Sequence, residues 1–211
     1  KIWNKKIASK KRISIQMAAR NLRYKWFYDL ADKNKFDYIV TAHHFNDSIE
    51  TVLFNIARGT GVSGLKGISE KENRTIRPLL NFTKNDIVEF ARNNKIEFRE
   101  DLSNNDEKYK RNKIRKSIIP DFQTLNIGFF ESMRSTIKNF KSAENIYSNF
   151  IEKEKNRCVK YDQEVLKVNI NLLKNSIEPK TVLFEIIKEY GFIDIDSIFE
   201  VLDAQSGKTF F

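Results

Sequence analysis

At 211 residues, with 40% hydrophobic and 31% charged side chains and only seven Gly and three Pro, the chain has the composition of a globular protein of one or two domains, which excludes collagen-like and disordered classes. No run approaches the ~18–20 consecutive apolar residues that cross a bilayer, and a lone cysteine, Cys158, can form neither an internal disulfide nor a thiolate metal site, so the expectation is a cytoplasmic protein without membrane insertion. The formal charge of +10 is lopsided: residues 1–120 hold 26 basic and 14 acidic side chains, residues 121–211 hold 12 and 14.

In chain order, Ser14 to Asn34 places Met17, Leu22, Trp26, Phe27 and Leu30 at mixed three- and four-residue spacings, which predicts an amphipathic helix. Asp37 to Ala42 reads as a short buried strand. Asn46 to Arg58 is helical again, with Ile49, Val52, Leu53 and Ile56 on one face and Gly59 as the stop. Gly59, Gly61, Gly64 and Gly67 then imply a loop that needs positive φ or close backbone approach. Thr75 to Leu80 is a second strand, and Thr83 with Asp86 forms a capping box that opens a helix through Asn94. Strands alternating with helices predict a parallel α/β sheet over residues 1–120.

After Pro120 the texture changes. Residues 128–160 read as mainly helical, with Met133, Ile137, Phe140, Ile146, Phe150 and Ile151 as an irregular apolar stripe. Val165 to Ile170 reads as a lone strand, and Lys180 to Tyr190 and Asp194 to Ala204 as two further helices, so residues 121–211 are expected to form a second, mainly helical region. The chain opens on Lys1 and stops at Phe211 soon after a Ser-Gly-Lys turn signal, a texture that suggests truncation at both ends.

Two basic clusters stand out: nine basic residues with no acid between Lys1 and Lys25, and Lys108, Lys110, Arg111, Lys113, Arg115 and Lys116 within nine positions. Such clusters suit a polyanion partner through counterion release, or simply form a solvated face. The aromatics Trp26, Phe27, Phe54 and Phe90 are assigned to the core.

The chemistry-bearing segment runs from Thr41 to Gly67. A predicted strand ends at Ala42, and His43, His44 and Asp47 follow before a helix begins, which is where open α/β sheets bind ligands. Adjacent residues of an extended chain face opposite sides, so His43 and His44 do not share a ligand. Asn46 or Asp47 can cap the helix, and a cap with locally satisfied histidines is the plain alternative to a catalytic role.

The constellation His43-His44-x-x-Asp47-x-x-Glu50-Thr51, followed by Arg58-Gly59-Thr60-Gly61 and Gly64-Leu65, resembles the tRNA(Ile)-lysidine synthetases, which belong to the PP-loop ATP pyrophosphatases. Ala19-Arg20-Asn21-Leu22-Arg23-Tyr24, Arg77-Pro78-Leu79-Leu80, Asp101-Leu102-Ser103-Asn104 and Arg111-Asn112-Lys113-Ile114-Arg115 match further family segments. The resemblance covers residues 17–120 well and 121–211 loosely.

It implies a PP-loop, adenine nucleotide alpha hydrolase-like and Rossmann-like catalytic domain over residues 1–120, followed by a tRNA-contacting region over 121–211. The implied reaction uses ATP, with Mg²⁺, to adenylate the C2 oxygen of the wobble cytidine of a tRNA(Ile) with a CAU anticodon and expel pyrophosphate. Free L-lysine then displaces AMP. Asp47, His43 and His44 are the implied catalytic residues, and Arg20, Arg23, Glu50, Arg58, Arg77, Asn104, Arg111, Asn112 and Arg115 the implied substrate-binding ones.

The family's Ser-Gly-Gly-x-Asp-Ser phosphate loop is missing, since no two glycines are adjacent and none precedes Gly59. The chain therefore reads as an internal fragment, inactive alone. The family's Asp-Asp-Gln is here Asn46-Asp47-Ser48, which leaves one carboxylate where a metal-gripping pair is expected, and no metal ligands are assigned. Asp47 is expected to orient the lysine amine. Arg111 and Arg115, four apart on a predicted helix, are expected to project together as an RNA-backbone clamp, with Asn112 tying the Ser103–Asn104 loop. A PP-loop tRNA thiolase and a noncatalytic RNA-binding module are the alternatives. No sequence feature indicates an oligomeric state.

Overall fold

The computed structural model describes residues 15–98, 110–163, 165–192 and 194–203. The chain divides into two compact units, with the boundary between Ile137 and Lys138.

The first unit opens with α1 (Ile15–Lys33) and β1 (Ile39–Val40), then α2 (Phe45–Ile56) and a 3₁₀ turn (Val62–Gly64). β2 (Lys71–Glu72), β3 (Thr75–Ile76) and α3 (Lys84–Asn93) follow, and then α4 (Lys110–Lys113), a π-helical turn (Ile114–Ile118) and α5 (Ile119–Leu125). α6 (Phe129–Cys158) contains the boundary between the units.

The sheet has the order β1-β3-β2. β1 and β3 are parallel, with Ile39 opposite Thr75 and Val40 opposite Ile76, as the strand–helix alternation predicts. Both strands are shorter than expected. β3 stops at Ile76 because Pro78 cannot donate to a ladder, and the chain instead turns, Leu80 N–H donating to the Arg77 carbonyl at 3.2 Å. β2 was not anticipated. It pairs antiparallel with β3 across the two-residue turn Asn73-Arg74, where Asn73 takes the left-handed conformation (φ 51°) that such hairpins need.

α1 and α3 each end on a lysine in the left-handed region, Lys35 (φ 55°) and Lys95 (φ 53°). In both, the next residue's N–H reaches back five positions, Phe36 to the Ala31 carbonyl and Ile96 to the Ala91 carbonyl, each at 2.8 Å. These are Schellman ends built without glycine.

The core of this unit joins α2 to the later helices: Phe45, Ile49 and Val52 pack with Ile114, Ile119, Phe129 and Ile137. Leu53, Phe54 and Leu65 lie against it, half-buried. The expected apolar face of α1 is not its buried face. Ala18 and Ala31 are buried, while Trp26 is 58% exposed and Met17 and Leu30 are also exposed. Phe90, at 63% exposure, likewise stands outside the core.

Gly67 has φ +69°, and a Cβ there would overlap the Ser48 hydroxyl, which itself accepts from Ile68 N–H at 2.9 Å. Gly67→Ala is therefore expected to destabilise the chain by roughly 1–2 kcal/mol from backbone strain alone, with the overlap adding to it. The check is a lowered denaturation midpoint at unchanged slope.

The second unit contains the rest of α6, a hairpin of β4 (Val159–Asp162) and β5 (Val165–Val168), α7 (Ile170–Lys174), α8 (Pro179–Ile187) with a 3₁₀ turn (Lys188–Tyr190), and α9 (Ile195–Glu200) with a final 3₁₀ turn (Val201–Asp203). The strand expected alone over 165–170 has a partner: Val159, at the end of α6, pairs with Val168. Ile170 starts α7 instead, where the Asn169 side chain accepts from Leu172 N–H. The core here is Ile151, Cys158, Leu173, Val182, Leu183, Ile186 and Ile187. Ile146, placed in the apolar stripe of α6, is exposed. The Tyr147 hydroxyl, pushed up to about 12 by burial and then by the Glu185 carboxylate, stays protonated and donates to Glu185 at 3.1 Å.

Candidate functional site

The site lies where β1 ends and α2 begins. His44 is the N-cap of α2 in extended conformation, and the Asp47 carboxylate accepts from its backbone N–H at 3.0 Å. Asp47, rather than Asn46, thus satisfies that amide. The Asn46 side chain accepts from Lys84 N–H at 2.9 Å, which fixes the start of α3 beside the start of α2. His44 Nδ1 is buried 3.6 Å from Asp47 Oδ2, too far for a hydrogen bond, and has no other partner among the described residues.

One turn on, Glu50 is 2% exposed and takes both of its oxygens to Arg115, from Nε at 2.6 Å and Nη2 at 3.0 Å. Arg115 Nη2 also lies 3.7 Å from Asp47 Oδ1. A single guanidinium from the π-helical turn therefore spans both acids of α2. The hydrogen bonds that Arg115 donates to Glu50 raise the Arg115 pKa further above its ordinary value.

His43 faces the other way. Its Nδ1 is 2.9 Å from the Thr41 hydroxyl, and with Arg23, Tyr24, Phe27, Val40, Thr41 and Ala42 it lines a cavity of about 340 Å³. That is within the range of small-molecule pockets. Burial holds the His43 pKa below 6.5, with Arg77, Arg20 and His44 adding to the effect and Asp47 opposing it. The imidazole is therefore neutral at pH 7. Because the unfolded chain binds this proton more readily, His43 makes stability fall as pH drops through the unfolded value near 6.5. The expected result is a ring ¹⁵N titration midpoint below 6.5, and a midpoint above it would contradict the burial argument.

The other expected residues divide. Arg23 lines the cavity, while Arg20 stacks on Tyr24 with its Cζ 4.8 Å from the ring centroid. Neither forms an ion pair with an acid among the described residues. Arg77 is 3% exposed and serves the β2 hairpin, donating to the Ser69 carbonyl at 2.7 Å and to Glu72 at 3.0 Å, with Nε left without a partner among the described residues. Arg111 and Arg115 do not project together. Arg115 turns to Glu50, whereas Arg111 lies over the Phe54 ring at 5.7 Å. Arg58 lies over the same ring at 5.4 Å. Asn112 is half-buried at the start of this segment, while Asn104, Ser103 and Lys108 lie outside the described residues.

Thr41, Tyr24 and Phe27 were not among the expected site residues. Thr41 was legible, because residues two apart on an extended chain face the same side. Among the described residues no three His, Cys, Asp or Glu side chains cluster as metal ligands, and Arg115 occupies both oxygens of Glu50 and flanks Asp47. The described residues do not fit a Mg²⁺ site. No helix among them is long and apolar enough to cross a membrane.

Residues 1–122 match the family described as PP-loop domain. The chain belongs to that PP-loop family. Residues 161–211 match a second family, the TilS substrate binding domain. Among curated proteins, the chain is similar to the tRNA(Ile)-lysidine synthase of Bacteroides thetaiotaomicron, 36% identical over 205 residues, covering 96% of this chain and 47% of that protein. To the synthase of Porphyromonas gingivalis it is 37% identical over 208 residues, covering 97% and 45%. To that of Thermosipho africanus it is 44% identical over 132 residues, covering 63% and 31%. The chain spans about half the length of the first two relatives. The α/β PP-loop fold class and the resemblance drawn from the motifs are both borne out.

Proposed function

We propose that this chain carries the base- and lysine-handling part of a tRNA(Ile)-lysidine synthase, which ligates free L-lysine to C2 of the wobble cytidine of a tRNA(Ile) with a CAU anticodon. The observation that carries the reading is the juxtaposition of Asp47, Glu50 and Arg115 at the carboxyl end of a parallel strand, beside a cavity holding neutral His43 and Arg23. PP-loop chemistry draws on ATP, which activates the carbonyl oxygen and leaves as AMP and pyrophosphate. The glycine-rich cradle for its phosphates is not in these 211 residues, so the reading assigns to this chain only the groups around the reacting base.

Within that reading, residues 1–120 are the catalytic part and 121–211 the tRNA-contacting part, working in a reducing cytoplasm. Asp47 Oδ1, not taken by the helix cap, orients the lysine ammonium and assists its deprotonation, since only the neutral amine attacks. His43, kept neutral, has a ring nitrogen to donate to or accept from the base or a phosphate, and the His44 backbone N–H holds Asp47 in place. Arg23 and Arg20 supply charge beside the cavity for an anion. Glu50 sets Arg115, and Arg77 shapes the wall next to His43 through the β2 hairpin.

Cys158 is 2% exposed in the core of the second unit, which disfavours the thiolase alternative. The test is an enzyme carrying this chain together with a phosphate loop, given tRNA(Ile), ATP and labelled lysine. Label appearing at the wobble cytidine, dependent on ATP, is expected. Pyrophosphate release without lysine transfer would overturn the assignment of the reaction.

A further inference from the structure

One feature of the glycine loop is explained neither by backbone conformation nor by packing. Gly59 and Gly67 have positive φ, and a Cβ on Gly64 would run into Thr60, but Gly61 has φ −78° and nothing within 4 Å of where its Cβ would sit. Any residue fits the fold at Gly61. Open space also surrounds the Cβ position of Gly59. The loop is held to α2 by the Asn55 side chain, which donates to the Gly64 carbonyl at 2.9 Å, so its exposed backbone is fixed beside the end of that helix.

Next to it are the two guanidiniums on Phe54. Arg58 follows α2 and Arg111 belongs to α4, and each Cζ lies within 6 Å of the centroid of this one half-buried ring. Both side chains are exposed, and neither ion-pairs with an acid among the described residues, in contrast to Arg115, whose charge is met by Glu50 and Asp47. Two like charges drawn to one ring are favourable when an anion lies between them, and guanidiniums suit the oxygens of a phosphate. Neither arginine lines the His43 cavity, so the anion they attract is not the ligand of that pocket. Exposed Lys113 and Lys116 continue the basic surface past Arg111, as an extended polyanion requires.

We propose that Arg58 and Arg111, gathered on Phe54, clamp the phosphate backbone of a single RNA strand that runs across the bare backbone at Gly61. The proposal rests on the tRNA reading above and deepens it by placing one backbone contact outside the catalytic pocket.

The experiment uses the 211-residue chain, a single-stranded RNA oligonucleotide and a tRNA(Ile) transcript, with affinity followed across a salt series. Arg58→Ala and Arg111→Ala are each expected to lower the slope of log affinity against log salt by about 0.7, the value for one single-strand phosphate contact, and the double variant by more. Phe54→Leu, which keeps apolar packing but removes the π face, should weaken binding roughly 2- to 5-fold. Gly61→Val should leave thermal melting unchanged and weaken RNA binding. Wild-type binding with a salt slope that both arginine variants reproduce would overturn the clamp and leave the tRNA reading standing, whereas no salt-dependent RNA binding by the wild-type chain would remove both. In a separate titration of the chain with inorganic pyrophosphate, arginine variants that lose pyrophosphate binding but keep the RNA slope would reassign the pair to a nucleotide phosphate and also overturn the clamp.

Discussion

Arg115→Ala should lower the stability of the chain by roughly 3 kcal/mol, toward the lower end of what breaking a buried ion pair costs. The driving term is what stays behind. Glu50 is 2% exposed with both oxygens committed to Arg115, so truncation leaves a buried carboxylate with neither counter-charge nor donors. Arg115 is itself 37% exposed, so water can reach part of the gap, which places the estimate below the fully buried limit. Arg115→Lys should recover only part of the loss, because an ammonium cannot donate along both edges of a carboxylate. A double change, Glu50→Leu with Arg115→Met, should be far less costly than Arg115→Ala alone, since it removes the charge as well as its partner. Denaturant midpoints at constant slope decide the matter. If Arg115→Ala melts like the wild type, the pair does not hold α2 against the π-helical turn.

That pair also marks where sequence reasoning stops. The four-residue spacing of Arg111 and Arg115 correctly reported a shared helical segment, but the direction of each guanidinium was decided by groups far away in sequence, Glu50 for one and the Phe54 ring for the other. No local pattern encodes those partners. The turn from β1 into α2 was more legible, because a helix start is a local problem: amides need acceptors, and Asp47 stands three residues after the N-cap. The N-cap is His44 rather than Asn46 or Asp47, the helix starts at Phe45 rather than Asn46, and Asp47 acts from N3. Pro78 was visible in the sequence and enough to end β3 at Ile76, yet the run of apolar residues extended the expected strand past it. Lys35 and Lys95 gave no glycine signal for the left-handed ends they form. Trp26 and Phe90 differ in the opposite sense: they are apolar yet stand mostly in solvent, so apolar character does not fix burial. Fold class survived these errors because it depends on the order of elements, whereas individual side-chain roles depend on contacts between them.

Asp47→Asn is expected to cut lysine transfer by ~10²-fold or more while leaving tRNA-dependent pyrophosphate release largely intact, in an enzyme that combines this chain with a phosphate loop. The substitution separates the bond Asp47 makes at the helix start from the charge proposed to orient lysine. Its Oδ2 accepts from His44 N–H at 3.0 Å, and an asparagine carbonyl accepts the same bond, so the start of α2 should persist. Its negative charge, 3.7 Å from Arg115 Nη2, cannot be supplied by an amide, so the attraction for a lysine ammonium goes. In the proposed reaction, activation of the base precedes attack by the amine and does not require that charge. The measurement is paired: pyrophosphate release and labelled lysine incorporation on wild type and variant, with thermal melting to establish that the fold is retained. Equal retention of both steps would leave Asp47 as a helix-start acceptor alone. Equal loss of both with an unchanged melting temperature would move its role to the activation step. Selective loss of incorporation, together with a raised lysine KM, is the outcome that an ammonium-orienting carboxylate requires.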